Sequence, residues 1–187
     1  MKTEFKKRLF VGIPAGLEIQ SLTEIQSSIK HNSVQIKWIP SKNIHMTVSF
    51  LGNVTLDNIP KLTQTLEDIS YLSHFRVSIE KTGVFPSTQF PKIFWLGVSK
   101  GRKKMIALHK QIEKVVIPFK ASRKRDPFIP HITIGRATRS YLKIDVLPFL
   151  KYVYSPREFD INSVVLYESR QLPHGVDYQV LTKFLLN

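Results

Sequence analysis

Two histidines of this sequence, His45 and His131, are each followed two positions later by a threonine, Thr47 and Thr133. Imidazole titrates near neutral pH, so one ring can accept a proton while a second ring donates one. Cleavage of a phosphodiester needs both steps, because water must lose a proton and the departing oxygen must gain one. A threonine hydroxyl can donate a hydrogen bond to a phosphate oxygen. The two His-Thr pairs therefore favour acid–base chemistry on a phosphate ester.

Each pair lies in a segment of alternating apolar character, IHMTVSFLG or PHITIGRA, which is typical of a half-buried β-strand. Consecutive strand side chains point to opposite faces, so the histidine and threonine of each pair share one face. The apolar residues between them are expected on the core face: Met46, Val48, Ile132 and Ile134. We expect the two His-Thr faces to meet in one cleft.

Composition limits the class of protein. A chain of 187 residues with 42% hydrophobic content supports one compact domain with a core. Its net charge of +14 favours a polyanionic partner, either a nucleic acid or another phosphate ester. The absence of cysteine excludes disulfide scaffolds, Cys-ligated zinc and thiol nucleophiles. No apolar run reaches the roughly 18 residues of a membrane span. The apolar run near the N-terminus is short and is interrupted by Gly12 and Pro14. A cytoplasmic protein is expected.

The elements around the pairs follow an α+β order. Further strands are predicted at Arg8–Pro14, Gln35–Ile39, Phe75–Thr82, Ile93–Val98, Val164–Glu168 and Tyr178–Phe184. Three helices are predicted. The first covers Leu17–Ile29 and the third covers Lys103–Val116. The second begins after a cap at Thr55 or Asp57 and has Pro60 in its first turn. The buried stripes of the second and third helices are expected to be Ile59, Leu62, Leu66 and Ile69, then Met105, Leu108, Ile112 and Val115. This order indicates a weak internal duplication with one His-Thr pair in each half.

Other residues have weaker signals. Residues 83–91 form a turn-rich segment that predicts a connecting loop. The basic run 123–125 is predicted either to follow an RNA backbone or to be a solvated loop. Base stacking is plausible for the loop aromatics Phe85, Phe90 and Phe128. The remaining histidines are expected to be surface or packing residues: His31, His74, His109 and His174.

The sequence resembles the 2H phosphoesterases, and within them the bacterial and archaeal RNA 2′,3′-cyclic phosphodiesterases, formerly called 2′-5′ RNA ligases. The resemblance covers nearly the whole chain. It includes the segments RLFVGIPAG, HMTVSFLG, GVFPSTQFPKIFWLGV, PFIPHITIGR and VVLYESRQLPHGVDYQVL.

The resemblance implies an α+β, bilobal fold in which two antiparallel sheets flank a central groove and the helices lie outside. It also implies a single domain over residues 1–187 made of two pseudo-symmetric lobes, with no metal and no organic cofactor. The implied partner is an RNA end that carries a cyclic phosphate, no membrane is involved, and a monomer is expected.

The implied reaction is hydrolysis of a terminal 2′,3′-cyclic phosphate to a 2′-phosphomonoester. By resemblance, His45 is the proton donor to the 3′ oxygen and His131 the proton acceptor that activates water. Thr47 and Thr133 hold the phosphate, and Arg136 matches an arginine that follows the second motif. Strict alternation from His131 places Gly135 on the catalytic face, so Arg136 reaches it only if the strand bulges at the glycine.

Three alternatives stay open at this point. A metal-dependent hydrolase would need a cluster of His or carboxylate ligands, and neither pair has an Asp or Glu at ligand spacing. A non-catalytic RNA-binding protein would explain the charge but has no need of two His-Thr pairs. The same site could also join RNA halves through a 2′-5′ bond or open a small cyclic nucleotide phosphate.

Overall fold

The computed structural model describes residues 5–15, 19–28, 36–122, 127–138, 145–173 and 175–187. It contains strands β1 (Lys6–Pro14), β2 (Ile36–Trp38), β3 (His45–Thr55), β4 (Phe75–Phe85), β5 (Ile93–Val98), β6 (His131–Ala137), β7 (Arg157–Ile161), β8 (Ser163–Leu172) and β9 (Gly175–Leu185). The helices are α1 (Ile19–Ser27), α2 (Ile59–Glu67), α3 (Arg102–Val116) and α4 (Leu147–Leu150). Among the described residues, no helix is both long enough and apolar enough to cross a membrane.

The nine strands form an antiparallel sheet in the order β7-β4-β5-β6-β3-β1-β8-β9, and β2 pairs with β6 beside this path. β3 and β6, the two strands that carry the His-Thr pairs, are adjacent and are joined through one residue pair, Met46 and Ile132. The α+β class is confirmed. The two expected sheets are joined edge to edge at this pair, so they form one continuous sheet.

The core face of the sheet contains the apolar residues that the alternation predicted. Met46, Val48, Ile132 and Ile134 are all at most 2% exposed. Helices α2 and α3 pack on the same core through buried side chains: Leu62, Leu66, Met105, Leu108, Ile112 and Val116. Each such side chain stabilises the fold by about 1.5–3 kcal/mol through removal from water. The opposite face of β3 and β6 is therefore left for the polar His and Thr side chains.

β4 is longer than the sequence predicted. Gly83, Val84 and Phe85 pair with β5, although turn-forming residues led us to place them in a loop. A Cβ at Gly83 would overlap the indole ring of Trp95, which lies over the glycine. The glycine therefore marks a close approach of a side chain to the strand, and not a turn.

The predicted cap of α2 is wrong. β3 continues to Thr55, and a short 3₁₀ turn over Leu56–Asn58 leads into the helix. Asn58 occupies the cap position with helical backbone angles and makes no capping bond through its side chain. Neither Thr55 nor Asp57 caps the helix, because the 3₁₀ turn already continues into it. Pro60 lies in the first turn of α2 as predicted.

Two elements were not predicted, β7 and α4. β7 is an edge strand that pairs with β4 and with no other strand of the described residues. Most of its side chains are exposed or half-buried. An edge strand with few buried residues lacks the apolar alternation that indicates a strand from sequence.

Candidate active site

The pair of Met46 and Ile132 lies at the centre of the candidate site. Each residue is the middle member of its His-x-Thr triplet, and the strands run antiparallel. Pairing about this centre places His45 across from Thr133, and Thr47 across from His131. His45 and His131 are then diagonal neighbours, which lie roughly 7–8 Å apart on a sheet with their Cβ atoms somewhat closer, so one phosphate group can reach both imidazoles.

The His45 ring is held at both nitrogens. Its Nδ1 lies 2.7 Å from the carbonyl oxygen of Asn43, and its Nε2 lies 3.1 Å from the hydroxyl of Thr47. A carbonyl only accepts hydrogen bonds, so Nδ1 carries a proton and donates. Asn43 is itself buried and donates from its amide nitrogen to the carbonyl of Val176 at 2.9 Å. The Nε2 atom of His45 is therefore the one that can exchange a proton with a ligand.

His131 is oriented in the same way. Its Nδ1 donates to the carbonyl oxygen of Ile129 at 2.7 Å, again two residues before the histidine. Both rings thus carry a proton on Nδ1 and present Nε2 to the polar face. A neutral ring accepts a proton at Nε2 and a protonated ring donates one there, so both directions of transfer are available.

Both imidazoles favour the neutral form. Burial is the main cause that lowers the pKa of His45, and the positive charges of Arg136 and His131 lower it further, against the opposing effect of the Asn43 carbonyl. Burial likewise lowers the pKa of His131, and the charge of Arg136 adds to this against the Ile129 carbonyl. The charge of Arg136 thus acts on both rings and the charge of His131 acts on His45, which indicates that the two rings and the guanidinium lie close together.

A β-bulge directs Arg136 to the polar face. Thr133 pairs with Trp95 and Gly135 pairs with Phe94, so Ile134 is the extra residue on β6. Gly135 is buried under the ring of Trp38, and the next residue, Arg136, is exposed. The kink that Arg136 would need is therefore present, one residue earlier than the glycine at which we placed it. Its role in binding stays a prediction.

Aromatic side chains surround each imidazole. The ring of His45 lies 4.9 Å from that of Phe10 and 4.8 Å, edge to face, from that of Tyr178. The ring of His131 lies 5.1 Å, edge to face, from Phe85 and 5.9 Å from Trp95. These rings exclude water, which accounts for the effect of burial on both pKa values.

The sequence indicated only part of this aromatic environment. Phe85 was among the three candidates, although it lies in β4 and not in a loop. Phe128 stacks on His109 with centroids 4.1 Å apart, and Phe90 is 49% exposed. Phe10 and Tyr178 were missed, because β1 and β9 reach the site only through pairing that is distant in sequence.

The other histidines agree with the prediction where they are described. His109 packs on Phe128 and donates from Nδ1 to the carbonyl of Val48 at 2.8 Å. His74 is exposed near the carbonyl of Asn187. His31, His174 and the basic run 123–125 lie outside the described residues. Within the described ranges, no group of three or more His, Cys, Asp or Glu side chains is placed to hold a metal ion.

Comparison with known proteins gives concordant matches. The family model described as 2'-5' RNA ligase superfamily matches residues 15–172. A protein of Aquifex aeolicus named RNA 2',3'-cyclic phosphodiesterase is 32% identical over 191 residues, covering 96% of this chain and 97% of that protein. One of the same name from Methanocaldococcus jannaschii is 24% identical over 183 residues, covering 95% and 99%.

Solved structures show the same fold. TT0787 of Thermus thermophilus superposes with a TM-score of 0.73 at 23% identity, over 96% of this chain and 97% of that one. Escherichia coli LigT complexed with 3'-AMP superposes with a TM-score of 0.75 at 19% identity, over 98% and 99%.

Proposed function

Since this chain belongs to the 2'-5' RNA ligase superfamily, a family of 2H phosphoesterases, we propose that it hydrolyses a terminal 2′,3′-cyclic phosphate of RNA to a 2′-phosphomonoester. Relatives with this activity in their names cover nearly its whole length. The observation that carries the proposal is the antiparallel pairing of Met46 with Ile132, since it brings the two His-x-Thr triplets together. The net charge of +14 favours a polyanionic substrate.

In the proposed reaction, water attacks the phosphorus of the cyclic ester. The neutral Nε2 of His131 takes a proton from the water as the new P–O bond forms. The protonated Nε2 of His45 gives its proton to the 3′ oxygen as the P–O3′ bond breaks. The product keeps its phosphate on the 2′ oxygen and has a free 3′ hydroxyl, and exchange of one proton with solvent resets each histidine.

The developing charge on the non-bridging phosphate oxygens needs donors that are already in place. We assign this role to the hydroxyls of Thr47 and Thr133 and to the guanidinium of Arg136. Support comes from the antiparallel pair of Met46 and Ile132, because extending this register by one residue sets each threonine opposite the histidine of the other motif. The hydroxyl of Thr47 also lies within hydrogen-bond distance of Nε2 of His45, the atom that transfers the proton.

We also propose that the chain is a single domain of two pseudo-symmetric lobes. The order β7-β4-β5-β6 on one side of the central pair and β9-β8-β1-β3 on the other supports this division. Each lobe would then supply one His-x-Thr triplet. Joining of RNA ends through a 2′-5′ bond would be the reverse of an analogous ring opening at the same site, with the duties of the histidines exchanged.

The test is incubation of the purified protein, with chelator present, with a short RNA that ends in a 2′,3′-cyclic phosphate. The 2′- and 3′-phosphate products are resolved by chromatography. His45→Ala and His131→Ala should each lose about 10²–10⁴-fold in rate, whereas the exposed control His74→Ala should match the wild type. A 3′-phosphate product, or full activity in either site variant, would refute the proposal.

A further inference from the structure

A second cation lies beside Arg136 on the polar face of the sheet. Lys37 of β2 is the direct cross-strand partner of Arg136. Directly paired residues of antiparallel strands point to the same face, so both side chains lie on the face of His131 and Thr133. The flanking residues Ile36 and Trp38 pack against the core, as this alternation requires.

The two cations repel each other, because like charges directly opposite on a sheet are unfavourable. Lys37 and Arg136 are both exposed on the sheet, and among the described residues neither forms an ion pair with a carboxylate. The sheet therefore holds two adjacent positive charges on the polar face. An anion that contacts both side chains would relieve the repulsion between the two cations.

The side chain of Lys37 extends to the hairpin of β8 and β9. Its Nζ lies 3.0 Å from the position that a Cβ on Gly175 would occupy, and Gly175 has a φ of +134°. The start of β9 is tied to the segment before His45: Asn43 donates to the carbonyl of Val176, and Lys42 pairs with Asp177 at 3.2 Å. The ammonium of Lys37 thus lies where this hairpin meets the segment that precedes the first His-x-Thr motif.

We propose that Lys37 binds the phosphodiester that joins the terminal nucleotide to its 5′ neighbour, and that this contact makes the site prefer oligonucleotide ends to mononucleoside cyclic phosphates. The inference rests on the proposed function. Arg136 is close enough to influence both histidines and so serves the terminal phosphate. The backbone of Lys37 lies one strand spacing, about 4.8 Å, from the backbone of Arg136. An RNA that ends in a 3′-terminal cyclic phosphate continues only in the 5′ direction, so the next anion is that phosphodiester.

The experiment compares three substrates. They are a trinucleotide with a terminal cyclic phosphate, the same trinucleotide with an uncharged methylphosphonate at the last internucleotide link, and a mononucleoside 2′,3′-cyclic phosphate. Lys37→Met should lower kcat/KM for the first substrate about tenfold and reduce the salt-dependence slope by about one. It should leave the other two substrates unchanged, which also shows that the variant is folded.

Lys61→Met serves as the control, because this exposed lysine lies on α2, which packs on the core face of the sheet and not on the polar face. It should retain the wild-type preference for the trinucleotide, and Lys37→Arg should retain most of it. An equal loss on all three substrates, or no loss on any, would overturn the assignment of Lys37.

A binding measurement separates this inference from the proposed function. Titration of trinucleotides that end in a 2′-phosphate, with and without the methylphosphonate, needs no turnover. If the wild type hydrolyses no cyclic phosphate, the proposed activity is wrong and the titration decides alone. Weaker binding by Lys37→Met only to the fully charged trinucleotide supports the contact, and equal binding by wild type and variant refutes it.

Discussion

Replacing Arg136 with methionine tests whether its positive charge controls the proton affinity of both histidines. The guanidinium lowers the pKa of His45 and of His131, because a nearby cation disfavours a second positive charge. Methionine removes the charge and keeps an extended side chain at the same position of β6. Both pKa values should therefore rise in the variant.

The expected pH profile follows from these directions. The acid limb of kcat/KM reports the proton acceptor, which must be neutral, and the basic limb reports the proton donor, which must be protonated. In the free wild-type enzyme both pKa values lie below the ordinary value of a histidine. The pH optimum of the wild type should therefore lie on the acid side of about pH 6.5. In Arg136→Met both limbs should move to higher pH.

The loss in rate has a different origin from the shift in pH. A hydrogen bond between charged groups contributes about 1.5–3 kcal/mol, so its loss should lower the maximum of kcat/KM about 10–150-fold. Arg136→Lys keeps the charge but not the planar fork, so it should lose rate while its optimum stays close to that of the wild type. The assay is initial rate against pH on a cyclic-phosphate RNA. An unmoved or more acidic optimum in Arg136→Met, or the same shift in both variants, would refute the electrostatic reasoning.

Three further outcomes are expected. Thr47→Val and Thr133→Val should each lower kcat about 2–10-fold, since each removes one hydrogen bond from an uncharged hydroxyl donor, and a loss as large as that of a histidine variant would contradict the assigned role. Gly83→Ala should destabilise the fold by about 1–3 kcal/mol in denaturant titration, because the new methyl group overlaps the Trp95 ring, and an unchanged midpoint would contradict this packing. Glu113→Gln should destabilise the fold by about 1–3 kcal/mol at neutral pH. Burial raises the pKa of the Glu113 carboxyl, but the hydrogen bonds from Lys120 and Ser49 outweigh burial and hold this pKa below its ordinary value. That contribution is present above the unfolded pKa of about 4.5 and is lost as pH falls through the folded pKa, so thermal melts of variant and wild type should converge at low pH.

The sequence alone was sufficient to predict the two strands that carry the His-Thr pairs, β3 and β6. An alternation of two residues assigns a face to every side chain once the strand is recognised, and the core positions Met46 and Ile132 follow from it. The bounds of β5 were also predicted from the sequence. These features depend on neighbours along the chain and not on the identity of the paired strand.

The features that were missed depend on pairing between distant strands. A bulge was considered only at Gly135, and its actual place at Ile134 arises from the register of β6 against β5, which no local pattern specifies. Tyr178 contacts His45 because β9 folds back beside β8 and the start of β9 is tied to Asn43. No local pattern singles out Lys37, because its partner across the sheet, Arg136, is distant in sequence. In each case the missing information is the order of strands in the sheet.

The division of labour between His45 and His131 is tested most directly by changing the leaving group. In an RNA whose terminal cyclic phosphate has sulfur in place of the 3′ oxygen, the departing group is a thiolate, which leaves without a proton because a thiol is a much stronger acid than an alcohol. We predict that His45→Ala, impaired about 10²–10⁴-fold on the oxygen substrate, loses less than about tenfold on the sulfur substrate, while His131→Ala stays fully impaired on both. Recovery of His131→Ala, or equal impairment of both variants on the sulfur substrate, would contradict the assignment of His45 as the proton donor.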